Sequence, residues 1–180
     1  MIVSNKWSID PSHSEVSFKV KHLMITTITG YFEKFTLELE THNDNFNTAK
    51  NIEFAAEINS INTNDKQRDE HLKSADFFNA NVYSHLRFRG SKYQGANSHA
   101  VLTGALTIGS ITQTVKLEVS FGGIVMDSYG QTKAGFSLSG SLSRKNFGLT
   151  WDAVTEAGNI VVSDEVRINA EIQLIKQIEV

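Results

Sequence analysis

The sequence has no cysteine among its 180 residues. That excludes disulfides, thiolate metal sites, iron–sulfur clusters and cysteine nucleophiles together. It leaves the compartment open, because a cysteine-free chain folds in oxidising and reducing surroundings alike. No apolar run approaches the length of a membrane-spanning helix. The opening stretch MIVSNKWSIDPSHSE lacks a basic segment followed by an apolar one, so it does not read as a signal peptide. The expectation is a cytoplasmic protein with no integral membrane segment. Net charge is −3 and the pI is near 6.1, which supplies no bulk attraction to nucleic acid.

Signature motifs of catalysis are also missing. There is no G-x-S-x-G elbow, no H-E-x-x-H, no G-x-G-x-x-G and no phosphate-binding loop. The histidines, at positions 13, 22, 42, 71, 85 and 99, are scattered without ligand spacing. No metal and no cofactor is expected. Tyr31, Phe32, Lys34 and Phe35 have no basic stripe beside them, so no nucleic-acid partner is expected either.

What is present is period-two alternation. Val16, Phe18 and Val20 oppose Ser17, Lys19 and Lys21. The pattern returns from Gly30 to Glu40, from Ile52 to Ile58, over Leu86–Arg89, Ala100–Ile108, Thr114–Phe121 and Thr132–Leu142, and last over Val166–Leu174. Gly122-Gly123 marks a bulge or bend, His42 to Lys50 reads as a polar loop, and about twenty residues after Leu142 read as a lid or binding loop. The expected fold is all-β. One domain spanning 1–180 holds eight antiparallel strands, with a short helical insertion between the third and fourth. Long two-faced strands in a meander favour a closed barrel, since closure removes sheet edges. An eight-stranded barrel is either filled by side chains or holds one slender ligand. The small inward residues Ala56, Ala100, Gly104, Ala134, Gly140 and Ala170 fit both readings.

The insertion, Ser60 to Phe78, concentrates Arg68, Asp69, Glu70 and His71. It looks like an active site, yet Asp69 and His71 are two residues apart on a helix and point to different sides. Asn64 with Gln67 reads as the helix start, Asp69 and Lys73 as a supporting pair, and Leu72 with Phe77-Phe78 as a plug into one barrel end. Asp10, Ser12 and His13 are too close in sequence for a nucleophilic triad and read as a turn.

Seven pieces of the chain together resemble the YceI-like, polyisoprenoid-binding family. They are Trp7-x-Ile9-Asp10-x-x-His13-Ser14 leading into Val16, Phe18, Val20 and His22; Gly30-x-Phe32-x-x-Phe35; Ser60-Ile61-x-Thr63; Arg68-Asp69-x-His71-Leu72-Lys73-Ser74-x-Asp76-Phe77-Phe78; Gly104-x-Leu106-Thr107-Ile108; Arg144-x-x-Phe147-Gly148-Leu149; and Val162-Ser163-Asp164-x-Val166. Ser84 stands where the family often has proline. The resemblance implies a lipocalin-like barrel with the helix at one end. It implies a cavity for a long-chain isoprenoid or fatty-acyl type lipid, a binding or carrier role without catalysis, and a possible homodimer.

The inward residues expected to touch such a lipid are Phe18, Val20, Phe54, Ile58, Phe88, Leu102, Leu106, Leu117, Phe136, Leu138 and Ile168. His13, Arg68 and His71 are candidate head-group contacts. Two other readings remain at this point. One is an enzyme acting on the lipid through the polar cluster; the other is a dry-core dimeric structural or stress protein.

Overall fold

The alternating runs close on themselves because the last strand pairs with the first. The computed structural model describes residues 1–153 and 161–178. Its strand segments are β1 (Ser4–Ile9), β2 (Glu15–His22), β3 (Thr26–Phe32), β4 (Phe35–His42), β5 (Asn45–Glu57), β6 (Ile61–Asn62), β7 (His85–Ala96), β8 (His99–Ile108), β9 (Ile111–Met126), β10 (Thr132–Ser143) and β11 (Glu165–Lys176). A single α-helix among the described residues, α1 (Lys66–Lys73), lies between β6 and β7.

These segments make eight walls. β11 pairs with β2 over Arg167–Glu171 and with β1 over Leu174–Lys176, so β1 and β2 are halves of one wall. β4 pairs with β1 and β3 with β2, which makes β3 and β4 halves of the next. β5 and β6 form the third, broken by a short turn at Ile58–Ser60. β7 to β11 complete a closed antiparallel barrel of eight strands, as the alternation predicts.

Each break has a local cause. Between β1 and β2 the side chain of Asp10 accepts the amide of Ser12 and starts a one-turn 3-10 helix with Pro11 in its first turn. In β9 the glycine pair is a bulge: Gly135 faces Gly123 while Phe136 faces Phe121, leaving Gly122 as the extra residue.

Two segments depart from the sequence reading. β1 precedes the expected first strand; its Trp7 is buried and donates its indole N–H to Thr41 Oγ1 at 2.9 Å. The stretch 42–50, expected to be a polar loop, is mostly the start of β5, with Phe46 turned into the barrel. Asparagines there suggested a turn, but the turn needs only Asn43 and Asp44.

At the inward glycines the filled reading holds: neighbouring side chains take the space. A Cβ at Gly30 would stand 2.2 Å from Phe18 Cζ, and one at Gly104 would stand 2.4 Å from Phe88 Cζ. At Gly140 the space belongs to Leu117 Cδ2, 2.6 Å from where a Cβ would be. Neighbouring aromatic and leucine side chains lie over these glycines, as aromatic rings cover glycines in other curved sheets.

Candidate functional site

Down the barrel axis the inward side chains leave an apolar cavity of about 430 Å³. That is within the usual range for small-molecule sites, which are mostly apolar with a few polar groups. Of the residues singled out from sequence, Phe18, Val20, Phe54, Phe88, Leu102, Leu106, Leu117, Phe136, Leu138 and Ile168 line it. Ile58 does not. It sits in the turn between β5 and β6, fully buried in the core, with its amide donating to the Ser84 carbonyl at 2.9 Å. Period two carried it inward on paper; the strand ends one residue earlier.

The far end of the cavity, opposite α1, is closed by aromatic rings. Phe46 is central to them, with centroids 4.9 Å from Phe136, 5.0 Å from Trp7 and 5.6 Å from Phe121. Tyr93 packs at the edge of the same group, and burial pushes its phenol up. Phe46 was missed in sequence because a lone aromatic among asparagines carries little periodic signal.

The near end is covered by α1 and by the segment that follows β10. Asp65 caps the helix, accepting the Arg68 amide at 3.0 Å. Asn64, the cap expected from sequence, has φ 66°, whereas a capping residue is extended. Asp69 does not pair with Lys73, which instead meets Glu70 at 3.3 Å. Asp69 turns back to accept both the amide and the hydroxyl of Thr63, at 2.9 and 2.5 Å. Arg68 closes on the same threonine, through Nε to Oγ1 at 2.8 Å and Nη2 to the carbonyl at 2.6 Å. This clamp fixes the entry to α1. Arg68 also lines the cavity, and among the described residues no carboxylate forms an ion pair with it.

His71 lines the cavity from the same helix. Its Nε2 lies 2.9 Å from Asp76 Oδ2, and its ring meets Trp151 edge-on at 4.7 Å and Phe77 at 5.2 Å. Phe78 packs edge-on against Phe32 at 6.2 Å. Leu72, Phe77 and Phe78 all face the cavity, so the helix and its following turn form an apolar lid with Arg68 and His71 at its margin.

Trp151 is brought there by Arg144, which is only 3 % exposed. Its guanidinium donates to the carbonyls of Ser163 (2.9 Å), Leu149 (2.6 Å), Trp151 (2.9 Å) and Val162 (3.3 Å) and to Asp152 Oδ1 at 2.6 Å. Hydrogen bonds from Lys145 and Arg144 hold the Asp152 carboxyl below the usual carboxylate range. All five donors of Arg144 thus serve the segment itself, including both ends of the loop expected after Leu142. Residues 154–160 of that loop lie outside the described residues.

His13 lies outside the barrel. Its Nδ1 is 2.8 Å from Asp10 Oδ2 and 3.1 Å from Ser12 Oγ, while the Ser12 hydroxyl donates to Asp10 at 2.8 Å. A nucleophilic relay uses the two imidazole nitrogens for different partners. Here both partners meet Nδ1, so the group is a turn. Lys133 adds Nζ to Asp10 Oδ2 at 2.9 Å and to Asp127 at 3.5 Å, pinning β10 to the break between β1 and β2. Among the described residues no three of His, Asp and Glu converge as metal ligands.

A family model described as the YceI-like domain matches residues 7–174. Two UPF0312 proteins of Staphylococcus aureus, SAS2572 and SA2479, are 30 % and 31 % identical over 167 residues, covering 91 % of this chain and 94 % of theirs. The crystal structure of a YceI protein of Campylobacter jejuni is similar at TM-score 0.75 and 29 % identity, over 88 % of this chain and 90 % of that one. Burkholderia cenocepacia BcnA shares the fold at TM-score 0.78 and 22 % identity, over 92 % and 98 % of the two chains. So does a polyisoprenoid binding domain from Saccharophagus degradans, at TM-score 0.64 and 13 % identity, over 95 % and 98 %. The motifs read from the sequence, the closed barrel under its helical lid and the match across nearly the whole length place this chain in the YceI-like family.

Proposed function

We propose that the protein binds a long-chain isoprenoid or similar amphiphilic lipid inside the barrel and carries or sequesters it. The observation that carries this reading is the cavity itself: about 430 Å³, walled by aliphatic and aromatic side chains from the barrel strands, with Arg68, His71 and Arg144 at the lidded end. A ligand that fits is apolar over most of its length and polar at one end. Removal of apolar area from water contributes about 25 cal/mol per Å². A chain of a dozen or so carbons therefore binds tightly even after ordering costs are met. The solved domain from Saccharophagus degradans, described as polyisoprenoid binding, has the same architecture and supports the choice of ligand class.

Arg68 and His71 are the head-group contacts in this reading, because both line the cavity at its polar margin. His13 takes no part, since it faces the outer Asp10 cluster. Binding without catalysis is favoured over the enzyme reading by the way the polar side chains are committed. Asp69 holds Thr63, His71 meets Asp76, and Arg144 holds the loop.

The test is a titration of delipidated protein with a polyprenol and with a fatty acid, followed by Trp151 fluorescence. Uptake at one molecule per chain, lost in Leu102→Arg and weakened in Arg68→Met, supports the reading. Failure of both ligands to bind sinks it.

A further inference from the structure

The turn between β2 and β3 breaks a habit the chain keeps elsewhere. The Ile25 amide closes it on the His22 carbonyl at 3.1 Å, and both central residues have positive φ: Leu23 at 51° and Met24 at 59°. Such turns favour Asn-Gly, because the Cβ of a larger L residue crowds its own backbone there. Every other non-glycine with positive φ among the described residues is an asparagine, at 43, 51, 64, 79 and 97. Leucine and methionine at this one turn are therefore not explained by folding. Leu23 is half-buried, but packing does not explain Met24 or its neighbour Ile25, which are 59 % and 77 % exposed.

The position of the turn suggests what it meets. It stands at the lidded end, on the rim of the cavity: His22 lines the cavity and bridges to Val162, and the Leu23 amide donates to the Val161 carbonyl at 2.8 Å. Just behind the tip, Lys19 and Lys21 are exposed on the outer face of β2, and Arg167 of β11 lies directly opposite Lys19. From β3 the facing residues are Thr26, Thr27 and Thr29, all uncharged. Among the described residues the nearby acids are Glu165, 3.7 Å from Arg167, and Asp164, which follows the Ser163 that pairs with Lys21 and is engaged by the Ser143 hydroxyl. An exposed apolar tip backed by cations is the pattern of a segment that enters the headgroup region of an anionic bilayer.

We infer that the β2–β3 tip docks the cavity rim on an anionic lipid surface. Met24 and Ile25 enter the boundary between headgroups and acyl chains, while Lys19, Lys21 and Arg167 lie over the phosphates. A bilayer fits better than a second copy of the chain. The tip is three residues wide, far short of the area a stable dimer interface needs. It also adjoins the lidded end of the cavity, where His22, Val161 and Val162 line it. The chain as a whole is negative, so the attraction is local and salt-sensitive. Docking does not depend on what the cavity holds, so it stands apart from the proposed function.

The experiment is co-sedimentation of the full chain with phosphatidylcholine vesicles, with and without phosphatidylglycerol. The double variant Leu23→Asn/Met24→Gly restores the favoured turn, and Ile25→Ser removes apolar surface without touching it. Wild type should sediment with the phosphatidylglycerol vesicles and be released by salt. Both variants should bind at least about tenfold more weakly, with the double variant melting no lower than wild type. Absence of wild-type binding, equal binding by the variants, or tip-dependent self-association without vesicle binding overturns the proposal. Ligand uptake by the same variants reads the cavity alone and should not change.

Discussion

The ring of Phe46 meets that of Phe136 edge-on, centroid to centroid at 4.9 Å, and the pair closes the cavity at the end away from the helix. The two residues come from β5 and β10, distant in sequence and not neighbours in the sheet. The floor is therefore a tertiary feature that only a closed barrel can assemble.

Phe46→Ala should lengthen the cavity and loosen this aromatic group. Loss of a buried phenylalanine costs about 3–5 kcal/mol when its surroundings cannot collapse. Denaturant unfolding should show a loss in that range. Ligand competition should show a shift toward longer chains, because the added space lies at the far end. An unchanged chain-length preference would remove Phe46 from the floor.

Gly30→Ala and Gly104→Ala separate cavity shape from backbone packing. At Gly30 the atoms in the way are the far end of the Phe18 ring, which can swing into the cavity. At Gly104 the new Cβ would also stand 2.6 Å from the Arg89 carbonyl oxygen, which belongs to the neighbouring strand. Gly30→Ala should keep most of its stability and lose ligand capacity. Gly104→Ala should be the less stable of the two, by about 1–3 kcal/mol, as overpacked cores are. Melting curves and ligand stoichiometry measured side by side decide it.

Arg144→Met should release the segment that carries Trp151. It leaves the carbonyls of Leu149, Ser163 and Val162 without their donor. Buried acceptors left unpaired cost about 1–3 kcal/mol each. The expected result is lower stability together with red-shifted Trp151 emission. Trp7, held between Thr41 and the floor rings, should not respond.

Acid should destabilise the protein through four carboxylates. Burial pushes Asp10 up, but hydrogen bonds from Lys133, Ser12 and His13 outweigh it and hold the group well below the usual range. Backbone hydrogen bonds do the same for Asp127, Lys145 and Arg144 for Asp152, and the Ser143 hydroxyl for Asp164. A carboxyl whose folded value is depressed contributes stability that is present above its unfolded value, about 4, and lost as pH falls through the folded one. Lys133 runs the other way. Its bond to Asp10 raises it, so its contribution is present below about pH 10 and lost as pH rises through the raised value. Asp10→Asn should therefore flatten both the acid and the alkaline limbs of a melting-temperature profile. A change on one limb alone would mean that the Asp10–Lys133 pair is not the common cause.

Much of the barrel was legible because its walls alternate strictly. Phe18, Leu102, Leu106, Phe136 and Leu138 could be assigned inward from period two alone, and they line the cavity. Ile58 obeys the same period but follows the last residue of β5, where a turn takes over. β1 was hidden because Trp7 and Ile9 give only two inward positions before Asp10 breaks the strand. The reason for the small inward residues was half legible: filling by neighbouring side chains was one of two open readings, and the register decides it at the glycines. Gly30, Gly104 and Gly140 are covered by side chains from adjacent strands, and a one-dimensional pattern does not contain that register. The helix and its apolar plug, Leu72 with Phe77 and Phe78, were visible, but its polar contacts were not. Asp69 and Arg68 turn back to Thr63 rather than along α1, and His71 finds Trp151 across the lid.

The central claim is that the barrel holds a lipid, and native mass spectrometry of the purified full chain tests it most directly. The account predicts a one-to-one complex with a long-chain amphiphile, either copurified or formed on adding a polyprenol, and its disappearance in Leu102→Arg. A bare-chain mass that persists in the presence of both polyprenol and fatty acid would contradict it.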